Sequence, residues 1–202
     1  MQPFIAVSGQ AAPMLAANID TDVIMPKQFL KGIDRNGLDR GVFFDVRFLP
    51  SGEANPQFIL NQPAWQGARF LVTGPNFGCG SSREHAVWGL KQLGVRALIG
   101  SSFAGIFYDN CQRNGMLVIT LPEAQVQTLG KMVNQPAMAH IEVDLPTQRI
   151  RLADGSMIRF EIDELRKNAL LLGLDAIGST LLRSQQIHEF ERRHLQANPW
   201  LV

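Results

Sequence analysis

Residues 76–85 combine a glycine-rich turn with serine, arginine, glutamate and histidine side chains. Gly78 and Gly80 allow the backbone to approach a ligand closely or to take positive φ angles. If a helix begins here, its unpaired N–H groups and the positive end of its dipole attract carboxylates or phosphates. Ser81 and Glu84 fit an S-x-x-E capping box at such a helix start. The segment is therefore a candidate anion site, and the alternative is a turn without a ligand.

Arg83 narrows the kind of anion. In a helix over residues 81–93, this arginine lies in the first turn, where the dipole disfavours a cation. An arginine at such a position favours an anionic partner, most naturally a carboxylate bound bidentately. The segment lacks the third glycine of a dinucleotide fingerprint, a P-loop lysine and the G-x-S-x-G pattern around Ser81. Cys79 is either a nucleophile near the helix end or a small residue that lines the turn.

A second polar segment, residues 18–27, contains Asp20 and Asp22. On an extended strand these two carboxylates share one face. The alternative is a turn in which an aspartate caps backbone N–H groups. Two carboxylates also suggest a metal ion, but no histidine or third acid lies nearby in the sequence.

The elements that position these segments can be predicted from the hydrophobic rhythm. Residues 1–65 are rich in Pro, Gly and Asn, and we expect them to be irregular. The middle of the chain alternates β-branched runs with helical runs, which predicts parallel strands with helices packed over the sheet. The expected order is strand 69–73, helix 81–93, strand 95–99, helix 102–113, strand 116–121 and helix 122–132.

The last third of the chain predicts a hairpin followed by helices. Strands over 149–152 and 157–162 flank the turn dipeptide Asp154-Gly155, and a further strand covers 141–144. Asp163 is positioned to cap a helix over residues 164–172. The polar tail over 184–197 is interpreted as a solvated surface helix.

Composition bounds the class of protein. The chain has 202 residues, 46% hydrophobic and 18% charged, with a net charge of +1. This balance is typical of a globular protein and does not favour a nucleic-acid binder that relies on a large cationic field. Two cysteines, Cys79 and Cys111, cannot supply all the thiolates of an iron–sulfur cluster. No signal peptide or membrane span is apparent, so we expect a reduced, cytoplasmic protein.

Four segments together resemble the small subunits of bacterial 3-isopropylmalate dehydratases, which are members of the aconitase superfamily. The matching segments are 18–30, 76–86, 102–108 and 173–178. The resemblance extends from about residue 4 to about residue 190, and the Gly-Ser-Ser-Arg-Glu-His run is specific to the superfamily. It implies one aconitase-like swivelling domain over 1–202, an α/β fold with β/β/α layers and a mixed, partly parallel sheet flanked by helices.

The resemblance also implies a partner and a reaction. A [4Fe-4S] cluster is held on three cysteines of a separate large subunit, the active site lies between the two proteins, and this chain binds no metal itself. The enzyme is a hydro-lyase of leucine biosynthesis that converts 2-isopropylmalate to 3-isopropylmalate through 2-isopropylmaleate. The substrate is a small 2-hydroxy dicarboxylate, and neither nucleic acid nor membrane is an expected partner.

Residue roles follow from the same resemblance. Ser81 matches the base, acting as an alkoxide, and Arg83 matches the arginine that binds a substrate carboxylate. A substrate loop is expected over residues 29–45, where apolar side chains would line a pocket for the isopropyl group. The remaining expected substrate-site residues are Ser82, Thr21, Asp22, Leu30 and Ile33. Asp22 is expected to orient either Arg83 or the substrate.

Two assignments stay open at this point. His85 either supports the site or is simply packed. The second substrate carboxylate has no assigned cation, although three arginines lie in range: Arg35, Arg40 and Arg47.

Alternative functions also stay open. Small subunits that act on homoaconitate, citraconate, citramalate or dimethylmaleate would use the same serine and arginine. A non-catalytic aconitase-like binding module would not need this set of site residues, and a glycine turn that binds phosphate would not need the partner.

Overall fold

A seven-stranded mixed sheet organises the chain. The computed structural model describes residues 1–31 and 35–201. The strand order is β4-β3-β2-β1-β5-β6-β7, in which β1 to β4 run parallel and β5, β6 and β7 add antiparallel pairs. The strands are β1 (Ala6–Met14), β2 (Phe70–Thr73), β3 (Ala97–Gly100), β4 (Leu117–Thr120), β5 (His140–Asp144), β6 (Arg149–Arg151) and β7 (Met157–Arg159).

Helices flank this sheet, which confirms the predicted α/β class with a mixed, partly parallel sheet. The α-helices are α1 (Thr21–Ile24), α2 (Phe44–Arg47), α3 (His85–Leu93), α4 (Gly105–Arg113), α5 (Glu123–Val133), α6 (Glu164–Leu172), α7 (Ala176–Leu181) and α8 (Ser184–Ala197). The 3-10 turn Leu38–Gly41 lies in the expected substrate loop over 29–45, and the 3-10 turn Lys27–Leu30 overlaps the start of that loop. None of the helices in the described residues is long and apolar enough to cross a membrane.

The prediction of an irregular N-terminal third was wrong for its first residues. Ala6–Met14 forms the longest strand, and it is central, because it pairs with β2 on one side and β5 on the other. Its alanines at positions 11 and 12 are fully buried. Its small residues and one proline have low strand propensity, so the sequence does not predict this strand. Its conformation is decided by packing between two neighbouring strands.

The parallel half of the sheet alternates its side chains between two cores. Leu71, Leu98 and Val118 face α3 and α4, while their strand neighbours belong to a second core with α5 and α6. This is the alternation that a pleated strand imposes when both faces are covered.

Both polar segments follow neighbouring parallel strands. Residues 18–22 come just after β1, and residues 76–83 come just after β2. Parallel bridges Asp20–Cys79 and Phe77–Phe103 continue the ladder beyond the strand ends. The sheet therefore brings the two segments together at its carboxyl edge, where open α/β sheets commonly bind ligands.

The C-terminal part matches its prediction in outline. The Asp163 side chain accepts a hydrogen bond from the Arg166 N–H and caps α6 as expected. No residue of α8 is buried, which agrees with a surface helix. Its exposed side chains are not all polar, however, because Ile187, Phe190 and Leu195 are among them.

Candidate active site

A glycine-rich turn presents the predicted serine and arginine. Asn76, Gly78 and Gly80 all have positive φ angles, of 57°, 78° and 102°. A Cβ on Gly78 would lie 2.2 Å from the Phe107 ring, and a Cβ on Gly80 would lie 3.3 Å from the Thr21 hydroxyl oxygen. The turn therefore needs glycine at both positions for conformation, and at position 78 also for space.

The helix after the turn begins later than predicted, and the capping box was wrong. Helix α3 starts at His85, its N-cap is Glu84, and no side chain caps it. The Ser81 Oγ instead accepts the backbone N–H of Arg83, two residues on. A serine that bonds its own turn in this way competes with the helix and delays its start. Arg83 therefore precedes the helix and does not lie in its first turn.

Ser81 and Arg83 are joined by two hydrogen bonds. The Arg83 Nε donates to Ser81 Oγ at 2.6 Å, and the Arg83 backbone N–H donates to the same oxygen at 3.2 Å. These two donors occupy both lone pairs of a neutral hydroxyl. The Ser81 proton, or in the alkoxide the third lone pair, must then point away from Arg83. Because one donor is cationic, the pair stabilises negative charge on this oxygen.

Asp22 is the acidic side chain that pairs with Arg83, one of the two roles that the resemblance implied for it. The Arg83 Nη2 donates to Asp22 Oδ1 at 2.6 Å across 61 residues of sequence. The other carboxylate oxygen lies 3.7 Å from Lys27 Nζ. Nη1 of Arg83 donates to no residue within 1–31 and 35–201, and the arginine side chain keeps 34% of its surface exposed. The guanidinium is thus fixed on two sides with one nitrogen open.

Two asparagines that sequence reasoning did not single out join the segments. Asn18 and Asn76 both take left-handed conformations, and Asn76 Nδ2 donates to Asn18 Oδ1 at 2.8 Å. Each is the first residue of its polar segment, and asparagine is the non-glycine residue that most readily adopts this conformation. These two asparagines could therefore have been found in the sequence from their residue type and their position at the start of each segment.

The second segment forms a capped turn instead of an extended strand. Asp20 Oδ1 accepts the Val23 N–H at 2.8 Å and caps α1. Thr21 is 2% exposed, and its hydroxyl has no hydrogen-bond partner among the described residues. It lies behind Gly80, so it contacts the turn, whereas Asp22 beside it is half-buried and reaches Arg83.

The remaining predicted residues have varied positions. Ser82 is exposed, and Leu30 is half-buried against the core at the end of its 3-10 turn. Ile33 lies outside the described residues. The His85 ring lies 4.7 Å from the Trp88 ring, and its buried Nδ1 has no hydrogen-bond partner among the described residues. The Cys79 thiol lines the turn, 3.6 Å from the Asn18 carbonyl.

The three arginines considered for the second substrate carboxylate differ in their contacts and exposure. Arg35 stacks on the Trp88 ring at 4.0 Å. Arg47 donates to the Asp39 carbonyl at 2.9 Å, and burial lowers the pKa of its guanidinium. Arg40 is exposed. Lys27, which the sequence analysis passed over, is the further cation that contacts the Asp22–Arg83 pair.

This chain's own residues do not fit an iron–sulfur cluster. Among the described residues, no three His, Cys, Asp or Glu side chains lie close enough together to hold a metal ion. Cys111 is fully buried in the core, where burial raises the pKa of its thiol well above the usual value. A cluster ligand must be a thiolate, which that environment disfavours.

Comparison with known proteins agrees with this architecture. Residues 1–124 match the model of the aconitase C-terminal domain, so fold and site define an α/β domain of the aconitase type. Residues 131–164 match a LeuD_N model, and residues 177–202 match the model of the C-terminal domain of the 3-isopropylmalate dehydratase small subunit. The chain belongs to the family of 3-isopropylmalate dehydratase small subunits.

Full-length relatives support that membership. The chain is 59% identical over 201 residues to 3-isopropylmalate dehydratase small subunit 1 of Mannheimia succiniciproducens, covering 100% of this chain and 99% of the relative. It is 58% identical to small subunit 2 of Salmonella typhimurium, with 100% and 96% covered, and 51% identical to the Rhodospirillum rubrum small subunit, with 100% and 97% covered. A crystal structure of 3-isopropylmalate dehydratase from Methanocaldococcus jannaschii shares the fold, with a TM-score of 0.67, 24% identity and coverage of 93% and 99%.

Proposed function

We propose that this chain supplies the proton-transfer half of 3-isopropylmalate dehydratase, a hydro-lyase of leucine biosynthesis that is completed by a large subunit. The observation that carries the proposal is the pair of N–H donors from Arg83 on Ser81 Oγ. In the dehydration of 3-isopropylmalate, the Ser81 alkoxide takes the proton from the carbon that bears the isopropyl group, the C=C bond forms, and hydroxide leaves the neighbouring carbon. Rehydration with the opposite regiochemistry gives 2-isopropylmalate.

Arg83 has two roles in this proposal. Its Nε stabilises the Ser81 alkoxide, and its open Nη1 binds a substrate carboxylate. Asp22 holds the guanidinium in the orientation that both roles need. Exposed Ser82 contacts the substrate, and Thr21 supports the turn from below.

The partner and the cofactor belong to the same proposal. Lewis-acid chemistry for hydroxide departure is assigned to a [4Fe-4S] cluster on the large subunit. We place the chain in the cytoplasm because both of its cysteines are free thiols, and disulfides are rare in that reducing compartment. Leu30 and Ile33 of the substrate loop over 29–45 are proposed to line the isopropyl pocket, within a single domain that spans residues 1–202.

The test is Ser81→Ala in the complex with the large subunit. Formation of 2-isopropylmaleate from 3-isopropylmalate is followed anaerobically by ultraviolet absorbance. We expect kcat to fall by roughly 10³-fold or more, because general-base catalysis alone contributes about 10²- to 10⁴-fold. Ser82→Ala is the matched control: because Ser82 is assigned a substrate contact but no part in proton transfer, its effect should fall mainly on KM, with a much smaller loss of kcat.

Association with the large subunit should survive the Ser81→Ala change. Turnover by Ser81→Ala within about ten-fold of wild type would contradict the base assignment. If the wild-type complex converts citramalate, homoaconitate or dimethylmaleate faster than 3-isopropylmalate, the proposed proton transfer stands and the substrate assignment changes.

A further inference from the structure

A buried asparagine on α4 holds the turn that carries the active-site serine. Asn110 is 4% exposed and is one of three polar residues that are buried among those described, with Thr21 and Thr73. Its Nδ2 donates to the Ser82 carbonyl at 3.0 Å, across 28 residues of sequence. A buried carboxamide is costly unless it is hydrogen-bonded, so this contact decides how the side chain is placed.

The peptide group that Asn110 contacts is the same one that holds Ser81. The Ser82 carbonyl and the Arg83 N–H belong to one planar peptide unit and point in opposite directions. Asn110 binds the carbonyl end, and the N–H end donates to Ser81 Oγ. A donor on the carbonyl also polarises the unit and strengthens the bond that its N–H makes.

Helix α4 supports this region at two further points. The Phe107 ring fills the space where Gly78 has no side chain. At the C-cap of α4, one turn beyond Asn110, the Asn114 Nδ2 donates to Glu84 Oε2 at 3.4 Å, and the Asn114 Oδ1 accepts the Trp88 indole N–H at 3.1 Å. The helix therefore fixes the turn before, at and after Ser82.

We propose that Asn110 is a positioning residue for proton transfer. It acts through the 82–83 peptide group: it holds the carbonyl so that the N–H stays directed at Ser81 Oγ, which stabilises the alkoxide and fixes its direction. This inference rests on the proposed role of Ser81 as the base and adds a residue that does not itself contact the substrate.

The first test is Asn110→Ala in the complex with the large subunit, with Cys111→Ala as the matched control. Cys111 is the next residue on α4 and is fully buried, so its truncation also destabilises the helix but leaves the Ser82 carbonyl bonded. We expect Asn110→Ala to lower kcat by about 10- to 100-fold with KM changed by less than about three-fold, because a misplaced base affects chemistry more than binding.

An isotope effect separates positioning from a merely structural role. With 3-isopropylmalate deuterated at the carbon that bears the isopropyl group, the effect on kcat should increase in Asn110→Ala, since proton removal becomes more rate-limiting. Cys111→Ala should lower Tm and leave the isotope effect unchanged. The proposal would be overturned if Asn110→Ala, measured per assembled complex, had the same kcat and the same isotope effect as the wild type and differed only in a lower Tm.

Asn110→Asp provides a second variant that keeps the side-chain shape. The ionised carboxylate cannot donate to the Ser82 carbonyl, whereas the protonated form can. Burial favours the protonated form, so kcat relative to wild type should recover as pH is lowered from about 9 to about 6. A pH-independent ratio for a folded Asn110→Asp variant would count against the inference. If Ser81→Ala is inactive while Asn110→Ala behaves as wild type, this inference fails and the proposed function stands.

Discussion

At the scale of single residues, Asp22 links the two cations of the site. One of its oxygens accepts from Arg83 at 2.6 Å, and the other lies 3.7 Å from Lys27. One negative charge between two positive charges leaves the cluster with an excess of +1. This excess favours the approach of a dicarboxylate, while Asp22 prevents the two cations from repelling each other. Because Lys27 contacts the carboxylate that holds Arg83, we predict that Lys27 binds the second substrate carboxylate.

Lys27→Gln tests that assignment. We expect KM for 3-isopropylmalate to rise by about three- to ten-fold with kcat nearly unchanged, because an exposed lysine contributes only modest electrostatic attraction. The difference from wild type should shrink in high salt, which screens exposed charges. Steady-state kinetics at two ionic strengths measure both effects.

Lys31→Gln is the control for Lys27→Gln. Lys31 is an exposed lysine just beyond the same 3-10 turn, and its replacement removes the same unit of charge. An equal rise in KM for both variants would mean that general attraction, not a contact at Asp22, explains the effect.

At the scale of elements, the glycine-rich turn packs closely against α4 because Gly78 has no side chain. Gly78 has a φ of 78°, and any Cβ there would meet the Phe107 ring at 2.2 Å. The ring is buried in the core, so it cannot move without disturbing its neighbours. The position of the turn is therefore set by helix packing as well as by backbone conformation.

Gly78→Ala should destabilise the chain by about 2–4 kcal/mol, from overpacking together with the left-handed conformation. Gly67→Ala isolates the conformational part, because Gly67 has a φ of 73° and nothing within 4 Å of its would-be Cβ. We expect about 1–2 kcal/mol for that control. Urea unfolding of the two variants and the wild type gives the comparison, and equal losses would show that the Phe107 contact is unimportant.

The elements were predictable where apolar periodicity was strong. The predicted order of strands and helices from β2 to α5 is correct, because each of these elements has a periodic pattern of apolar residues that become buried. β1 was missed because its alanines, serine and glycine have weak propensities and gain their strand conformation from two neighbours. The start of α3 was misplaced because Ser81 bonds the turn instead of the helix.

The residue types of the candidate site were predictable from the sequence, but of its contacts only the Asp22–Arg83 pair was expected, as one of two roles that the resemblance implied for Asp22. Ser81 and Arg83 were identifiable from one segment, since both the motif and the resemblance lie there. The partners Asp22 and Asn110 are 61 and 28 residues away in sequence. Only the register of β1 beside β2, and the packing of α4, bring these residues to the turn. Spacing within a segment contains no information about such contacts.

At the scale of the whole molecule, the C-terminal tail differs from the body. The parallel half of the sheet is covered on both faces, whereas α7 and α8 contain no buried residue. Several of their apolar side chains are largely exposed, including Ile177, Leu181 and Phe190 at 69%, 64% and 59%. Burial of apolar surface is the main source of folding free energy, so the tail contributes little to the stability of the isolated chain.

Removal of residues 184–202 should therefore leave the rest of the chain folded. We expect Tm to change by less than about 3 °C, which corresponds to roughly 1 kcal/mol for a chain of this size. In the intact isolated chain, the amides of α8 should exchange with deuterium quickly, because a single 14-residue helix without tertiary packing is marginal in water. Helix α5 is the internal control: four of its 11 residues are buried, and its amides should be protected. Slow exchange in α8, or a truncated chain that fails to fold, would mean that the tail packs against the body more closely than its exposed side chains indicate.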